Sequence, residues 1–289
     1  MKTKRIVLYF ILVIIFIAFN FYLRPIKGNS LVTDKYKSSS KYINGLYMSD
    51  EYFKSKLLSK DEYHIYEGII KGSFENETTV TIDCSSDCDS AFTRAYNSVY
   101  LDHPELISFQ GIVSHVVENN KITYNNYRNM GKIKSTLGAM RIEREMENIR
   151  HDTKDMSDKE KIIFVYNYVA SHNYDRFFTY NGSNQSAYSF FTKESSVCAG
   201  FAKASQIIFQ NIGIKSFLVL SSDHMWNYVE YEGKYYIFDA TVGASFTDKT
   251  VKEYYEGLGR TTTEDEYGNY PELYPSIETS TTLRKLFNL

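Results

Sequence analysis

The amino-acid sequence predicts an α+β fold in which helices pack on an antiparallel sheet. Three β-rich runs follow one another between residues 214 and 241, with only short turns between them, as antiparallel neighbours do. Directly before them, residues 198–211 are predicted to form a helix that ends at Gly213. A capping box at residues 157–160 begins another helix. Helices segregated from hairpin-linked strands are typical of the α+β class.

The N-terminus is predicted to be a transmembrane signal-anchor over residues 1–23. Residues 6–23 are apolar apart from Asn20, and basic residues precede them. As a helix this run would extend about 27 Å, close to the roughly 30 Å of a bilayer core. A cleaved signal peptide is the alternative, but the run is long for one and no small-residue cleavage site follows. The charge bias predicts a cytoplasmic N-terminus and a single-pass cell-membrane protein whose remaining chain is extracytoplasmic.

A linker and an N-terminal helical and β region are predicted next. Residues 24–48 are rich in Ser, Lys and Asn and show no sustained apolar period, which is typical of a linker. Residues 49–150 show alternating helical and strand periods. The elements predicted there are one or two helices over residues 50–70, a strand at 78–82, a helix at 89–100, a hairpin of 107–117 and 122–127, and a helix at 132–150.

Residues 151–255 are predicted to form the catalytic domain and residues 256–289 a poorly ordered tail. Within the domain, residues 179–195 are predicted to be a polar loop before the helix at Cys198. The three strands are predicted at 214–221, 225–231 and 234–241. The tail is rich in Thr, Glu and Tyr and lacks a helical or strand period.

Charge excludes nucleic acid as a partner. The chain holds 33 Lys and Arg and 35 Asp and Glu; five of the basic residues and none of the acidic ones lie within the first 30 residues. The remainder therefore carries 28 cations against 35 anions. A mildly acidic domain lacks the basic surface that phosphate backbones require. No histidine or acidic cluster has metal-ligand spacing, so no metal or cofactor is predicted.

The three cysteines fall into a close pair and one left over. Cys84 and Cys88 are four residues apart, and outside the cell they can form a small disulfide loop. A zinc site and two reduced thiols are the alternatives for this pair. In each case Cys198 is left without a cysteine partner, which marks it as a candidate reactive thiol.

Cys198, His224 and Asp239 supply the three groups of a nucleophilic triad. Cys198 is predicted at the start of a helix, where backbone N–H groups and the helix dipole favour a thiolate and can bind an oxyanion. His224 precedes one predicted strand and Asp239 lies near the end of the next. An imidazole can take the proton of a thiol, and a carboxylate can orient that imidazole. The sequence thus predicts nucleophile, base and orienter in this order.

The hairpin register brings the last two groups together. Glu232-Gly233 is a favourable two-residue turn. Its register places Trp226 opposite Asp239 and His224 opposite Thr241, so that His224 and Asp239 are diagonal neighbours on one face. Such neighbours lie about 7–8 Å apart at Cα, which side chains can bridge.

These motifs resemble those of the transglutaminase-like superfamily of papain-fold thiol enzymes. The resemblance covers about residues 155–245 and rests on VCAGFAKA at 197–204, HMWN at 224–227 and FDAT at 238–241. Tyr174-Asp175 also fits a recurrent element of the family, and DHPEL at 102–106 is similar to the N-terminal part of extracytoplasmic bacterial members. The resemblance implies a helix that bears the nucleophile and packs on an antiparallel sheet. It further implies a Cys198–His224–Asp239 triad that acts through a thioester acyl-enzyme.

The resemblance indicates the catalytic residues and the reaction type more specifically than it indicates the substrate. A peptidase or amidase acting on surface proteins or peptidoglycan stem peptides is the first expectation, because the polar loop before Cys198 lacks apolar walls that would exclude water. A cross-linking transglutaminase and a non-catalytic surface binding module are the alternatives. Trp226, Asn227 and Tyr174 are the candidates for the substrate groove or for support of the triad, and Trp226 is equally well explained as core.

Overall fold

A computed structural model describes the part of the chain that follows the predicted linker, with gaps. The described residues all fall within the compact unit Val32–Leu289. The predicted anchor at residues 1–23 and nearly all of the predicted linker at 24–48 lie outside them. Within the described ranges, no helix is both long and apolar enough to cross a membrane. These ranges are 42–43, 46–47, 51–75, 77–109, 113–126, 130–175, 184–244, 251–261 and 273–289.

The fold is α+β with antiparallel sheets, as the sequence predicts. The helices are α1 (Lys60–Glu75), α2 (Cys88–Asp102), α3 (Lys132–Thr153), α4 (Asp158–Ala170), α5 (Ala187–Thr192), α6 (Cys198–Ile212), α7 (Ala240–Ala244), α8 (Val251–Tyr254) and α9 (Leu283–Phe287), with 3₁₀ turns at Lys54–Lys56 and Glu256–Leu258. The strands are β1 (Tyr42–Ile43), β2 (Leu46–Tyr47), β3 (Thr79–Asp83), β4 (His115–Glu118), β5 (Lys121–Asn125), β6 (Asn173–Tyr174), β7 (Ser195–Ser196), β8 (Ser216–Leu220), β9 (Met225–Tyr231) and β10 (Lys234–Phe238).

The N-terminal half is built on a three-stranded antiparallel sheet in the order β3-β5-β4. Asn119 and Asn120 form the turn between β4 and β5 with φ of 50° and 60°, the left-handed region that a two-residue hairpin turn requires and asparagine tolerates. Alternate residues of β3 are buried, and Ile82 packs so closely on α1 that a Cβ at Gly68 would lie 2.8 Å from its Cδ1. This sheet, α1 and α2 share one apolar core.

The C-terminal half is built on a second antiparallel sheet in the order β10-β9-β8. Glu232 and Gly233, with φ of 50° and 78°, make the turn between β9 and β10. The pairing Lys234 with Tyr231, and Phe238 with Asn227, is the register that this turn predicts. This turn, which the sequence identifies, therefore fixes the register of the two strands that flank His224 and Asp239.

Helix α6 lies at the centre of the C-terminal half. It is apolar on nearly every side and almost wholly buried, as a helix enclosed by other elements must be. Gly213 ends it in the left-handed conformation with φ of 79°, which a side chain would disfavour. Helix α4 packs beside it and begins with the predicted capping box, in which Ser157 and Glu160 exchange hydrogen bonds.

Helix α5 corrects the prediction of a polar loop over residues 179–195. Residues 187–192 form a helix, and Phe190 and Phe191 within it are buried. Phe190 meets Phe201 of α6 edge-on, with the ring centroids 5.3 Å apart. Burial of these two rings outweighs the polar composition around them, because packing overrides weak local preferences. The expectation that this segment lacks apolar side chains is wrong for residues 187–192.

The core of the C-terminal half extends past the predicted boundary at residue 150 and into the described part of the predicted tail, residues 256–261 and 273–289. Helix α3 runs through residue 150, and its buried residues Ile142 and Met146 belong to the core around α4 and α6. In the tail, Leu283 and Phe287 of α9 are buried in that same core. Helices as short as α9 gain their stability from tertiary packing rather than from propensity, so no sequence period announces them.

Candidate active site

Cys198 is the first residue of α6 and carries a half-buried, free thiol. Strand β7 leads into it and pairs in parallel with β6. Val197 caps the helix in an extended conformation, so the chain turns sharply into α6 at the nucleophile. A Cβ at Gly200 would collide with the Ser196 hydroxyl, which explains why the third residue of the helix is a glycine. The thiol thus sits at the N-terminus of a long, rigid helix.

His224 and Asp239 form a hydrogen-bonded pair. Nε2 of His224 lies 2.9 Å from Oδ2 of Asp239, which is almost completely buried. Asp239 directly follows β10, at the point where the chain leaves the sheet and enters α7. The predicted strand over residues 234–241 is therefore too long, because Thr241 is already helical. The Thr241 backbone N–H donates to Oδ1 of Asp239 at 3.1 Å, which fixes the carboxylate.

Cys198 lies beside the same imidazole. The thiol is close enough to His224 to act on its pKa, as Asp239 does. Because Nε2 is taken by Asp239, Nδ1 is the nitrogen left for the sulfur. Burial lowers the pKa of His224, but its interactions with Asp239 and Cys198 outweigh burial and raise the pKa to about 10. The imidazole is therefore protonated at neutral pH. The structure places the three predicted residues side by side, with His224 hydrogen-bonded to Asp239 and next to Cys198.

Tyr174 lies against the nucleophile. It is the last residue of β6. Burial raises the pKa of Tyr174, the charge of Cys198 raises it further, and the nearby Cys198 backbone opposes both. The phenol therefore lies beside the nucleophile, where its hydroxyl can donate a hydrogen bond to an acceptor in the site.

Trp226 and Asn227 are buried residues that pack against the elements of the triad, and they do not line an open groove. The Trp226 ring is 3% exposed and stacks on the His224 ring at a centroid distance of 5.7 Å. Asn227 points to the other face of β9 and donates to the Ala202 carbonyl at 3.0 Å. That bond ties β9 to α6, so it holds the strand that leads from His224 against the helix that begins at Cys198.

Comparison with known proteins adds one distant structural likeness. No family model matches the chain, and no curated protein matches it. A solved structure described as the crystal structure of a TGase is similar with a TM-score of 0.34 and 15% sequence identity. The match covers 62% of this chain and 55% of that one, so the chain spans about half the length of that structure.

Arg260 is a charged neighbour of the triad that sequence reasoning missed. Its Nη1 lies 3.5 Å from Oδ2 of Asp239, the oxygen that His224 also contacts. The Asp239 backbone N–H donates to the Gly257 carbonyl at 3.1 Å, and this contact brings the chain before Arg260 to the carboxylate. Arg260 lies in the segment that was predicted to be a poorly ordered tail. Nothing in its local sequence marks it.

Cys84 and Cys88 form a disulfide that lies in the other half of the molecule. The bridge links the end of β3 to the start of α2, away from the core that holds α6. Asp61 accepts hydrogen bonds from the backbone N–H groups of Ser85 and Ser86 inside this small loop. The pair is thus a structural connection, and Cys198 keeps its thiol.

Proposed function

We propose that this protein is a transglutaminase-like thiol enzyme that hydrolyses peptide or carboxamide bonds through a Cys198 acyl-enzyme. The observation that carries the proposal is that Asp239 is hydrogen-bonded to His224, and that His224 lies beside Cys198 at the N-terminus of α6. A non-catalytic binding module has no need of this arrangement. The acyl group comes from a surface protein or a cell-wall stem peptide.

The first half-reaction is acyl transfer to sulfur. The Cys198 thiolate attacks the carbonyl carbon, so a C–S bond forms and the carbonyl electrons move to oxygen. His224, protonated at neutral pH, gives its Nδ1 proton to the leaving nitrogen. The C–N bond then breaks, and an amine or ammonia leaves behind a thioester. Asp239 holds the imidazole in the orientation that directs Nδ1 to this proton transfer.

The oxyanion of this step has two candidate donors. One is the group of backbone N–H donors at the start of α6, where the helix dipole favours negative charge. The other is the Tyr174 hydroxyl, which lies next to the Cys198 backbone N–H. A donor aimed at developing charge contributes roughly 10²–10³ in rate in enzymes of this type.

Water is the proposed acceptor in the second half-reaction. His224 takes a proton from water, the hydroxide oxygen attacks the thioester carbon, and the C–S bond breaks to give a carboxylic acid and the thiolate. The His224 side chain is 29% exposed and the thiol is half-buried, so solvent reaches the thioester. An enzyme that transfers its acyl group to an amine must keep water away, and cross-linking is for this reason the second candidate.

The proposed location is the outer side of the cell membrane. The apolar run at residues 6–23 supplies the anchor, and the Cys84–Cys88 disulfide suits an oxidising exterior. Protease added to intact cells should digest the chain after residue 30 and leave the anchor in the membrane. Recovery of a soluble protein that begins near residue 24 would instead establish a cleaved signal peptide.

Product analysis tests the proposed reaction. The full-length protein is incubated with glutamine-containing peptides and a primary amine in excess, and the acid, the amine adduct and ammonia are measured. Acid as the main product, absent from Cys198→Ala and strongly reduced in Asp239→Asn, is the expected result. An adduct that dominates and depends on Cys198 would make the protein a cross-linking enzyme. No Cys198-dependent product from any peptide would favour a binding module.

A further inference from the structure

A cavity of about 310 Å³ opens beside the C-terminal end of α4. This volume is at the lower end of the range for small-molecule sites and fits a group the size of one amino-acid side chain. The residues that give it its chemistry are Arg141, Glu145, Tyr168, His172, Phe190 and Lys193. The cavity is not part of the triad, and the reaction proposed above does not use it.

The charges in the cavity favour an anion. Arg141 and Lys193 contribute two cations, and Glu145 contributes one carboxylate whose Oε1 accepts a 2.6 Å hydrogen bond from the Tyr168 hydroxyl. Burial lowers the pKa of His172, so its imidazole is neutral at pH 7 and adds no charge. Among the described residues that line the cavity, one positive charge therefore remains in excess. Lys134 and Asp175, which also act on the pKa of Lys193, carry opposite charges and leave this excess unchanged.

One of the lining residues also carries a polar atom that lacks a partner among the described residues. Nε2 of His172 is buried without a hydrogen bond. The His172 ring packs on Phe190 at a centroid distance of 4.4 Å, so the ring is held in place. Buried polar atoms in native proteins nearly always have a partner, and those without one are commonly satisfied by a ligand or by water.

Two short strands connect this cavity to the nucleophile. His172 directly precedes β6, which ends at Tyr174, and Lys193 precedes β7, which leads to Cys198. Two residues of strand span about 7 Å, and five residues of extended chain at most about 17 Å. Phe201 packs against the first of these paths, with its ring centroid 5.9 Å from the rings of His172 and of Tyr174. A peptide bound at Cys198 can reach the cavity within about two to five extended residues.

We propose that this cavity binds a carboxylate of the peptide substrate and thereby selects acidic peptides for Cys198. The proposal rests on the proposed acyl-transfer function. A monoanion matches the single excess charge of the cavity, and the Phe190 ring beside His172 provides an apolar surface for the stem of the side chain. A side-chain carboxylate and a C-terminal carboxylate share this chemistry.

Peptidyl electrophiles that label Cys198 measure the selectivity. Each probe carries Glu or Gln at one of the positions two to five residues from the reactive carbon. The Glu probe should label roughly tenfold faster than its Gln twin at one position, as a charge-assisted contact predicts. Arg141→Gln and Lys193→Gln should each reduce that ratio. Lys121→Gln, which removes an exposed cation from β5, should leave it unchanged.

Equilibrium binding separates this proposal from the proposed function. Fluorescent Glu and Gln peptides, and a peptide with a free or amidated C-terminus, are titrated onto Cys198→Ala protein, which cannot react. Tighter binding of the carboxylate forms, reduced by Arg141→Gln, supports the site even if no probe labels Cys198. Equal affinities would overturn the proposal even if all probes label Cys198 rapidly. Stronger competition by inorganic phosphate than by acetate would overturn the choice of carboxylate.

Discussion

The two halves of the molecule each hold a histidine hydrogen-bonded to a carboxylate, and the two pairs differ in surroundings rather than in geometry. Nδ1 of His103 lies 2.7 Å from Oε1 of Glu105, and Nε2 of His224 lies 2.9 Å from Oδ2 of Asp239. The His103 side chain is completely buried, whereas that of His224 is 29% exposed. The two sites differ first in access to solvent and substrate.

The two histidine–carboxylate pairs also differ in the group that contacts the second imidazole nitrogen. Nε2 of His103 lies 2.7 Å from the Tyr66 hydroxyl, which donates in turn to Asp102 at 3.0 Å. Because a phenol has one proton, His103 must donate from both nitrogens and is a cation. Burial lowers the pKa of His103, but the adjacent Glu105 and Asp102 outweigh burial and raise it. The described partners of His103 in this network are a phenol and carboxylates, all of them buried.

The comparison shows what makes a histidine–carboxylate pair a candidate for chemistry. Asp102 accepts the backbone N–H groups of Phe53 and Lys54, both at 2.9 Å, so the N-terminal network ties separate parts of the chain together. His224 instead offers its second nitrogen to a half-buried thiol. We infer that the first network serves stability and the second serves reaction, and the predictions below are designed to separate these roles.

The largest effect is expected at the carboxylate of the proposed triad. Asp239→Asn should lower turnover by on the order of 10²–10⁴-fold, because the amide can hold the imidazole in the wrong tautomer. The matched change Glu105→Gln in the buried network should leave turnover per folded molecule unchanged. Steady-state rates and urea unfolding of both variants are the measurements. Similar rate losses in the two variants would remove the distinction between the networks.

The next effect is on stability and belongs to the buried network. His103→Ala leaves Glu105 and Asp102 buried without their cation, and removing one partner of a buried pair costs about 3–5 kcal/mol. Urea unfolding measures the free energy, and alkylation of Cys198 in the folded fraction measures the site. A variant that keeps full stability but alkylates slowly would mean that the N-terminal network acts on the nucleophile.

Reduction of the Cys84–Cys88 disulfide should have a smaller effect. A loop this short restricts the unfolded chain only modestly, and chain-entropy arguments give about 2 kcal/mol for it. The double substitution Cys84→Ser with Cys88→Ser avoids reductant and leaves Cys198 as the sole thiol. Its unfolding free energy should fall by that amount while Cys198 reactivity stays constant. A change in reactivity would show that the two halves are coupled through α2.

A further effect is a change in the pH dependence of stability. The folded-state pKa of His224 is raised to about 10, so its contribution is complete below the ordinary pKa of 6.5 and is lost as pH rises through about 10. Wild-type protein should therefore lose more unfolding free energy than His224→Asn between about pH 6.5 and pH 9.5. Parallel curves for the two proteins, from urea unfolding at several pH values, would contradict the raised pKa.

The sequence predicts the strand register near His224 and Asp239, and the helix start at Cys198, because these signals are local. The Glu232-Gly233 turn sets the register of β9 and β10, and Cys198 lies at a helix start that the sequence reveals. Arg260 could not be predicted, because its contact with Asp239 depends on how a distant segment folds back. Helix α5 was missed for a related reason, since its stability comes from the burial of two aromatic rings and not from a period in the sequence.

The alkylation rate of Cys198 tests the central claim most directly. Full-length wild-type protein, His224→Asn and Cys198→Ala are treated with iodoacetamide from about pH 5 to pH 9, beside a free-cysteine peptide. Since α6 and the His224 imidazolium both favour a thiolate, wild-type protein should react faster than the peptide near neutral pH. His224→Asn should lose much of this advantage, and Cys198→Ala should not be labelled. Folded wild-type protein that reacts no faster than the free peptide would contradict the account.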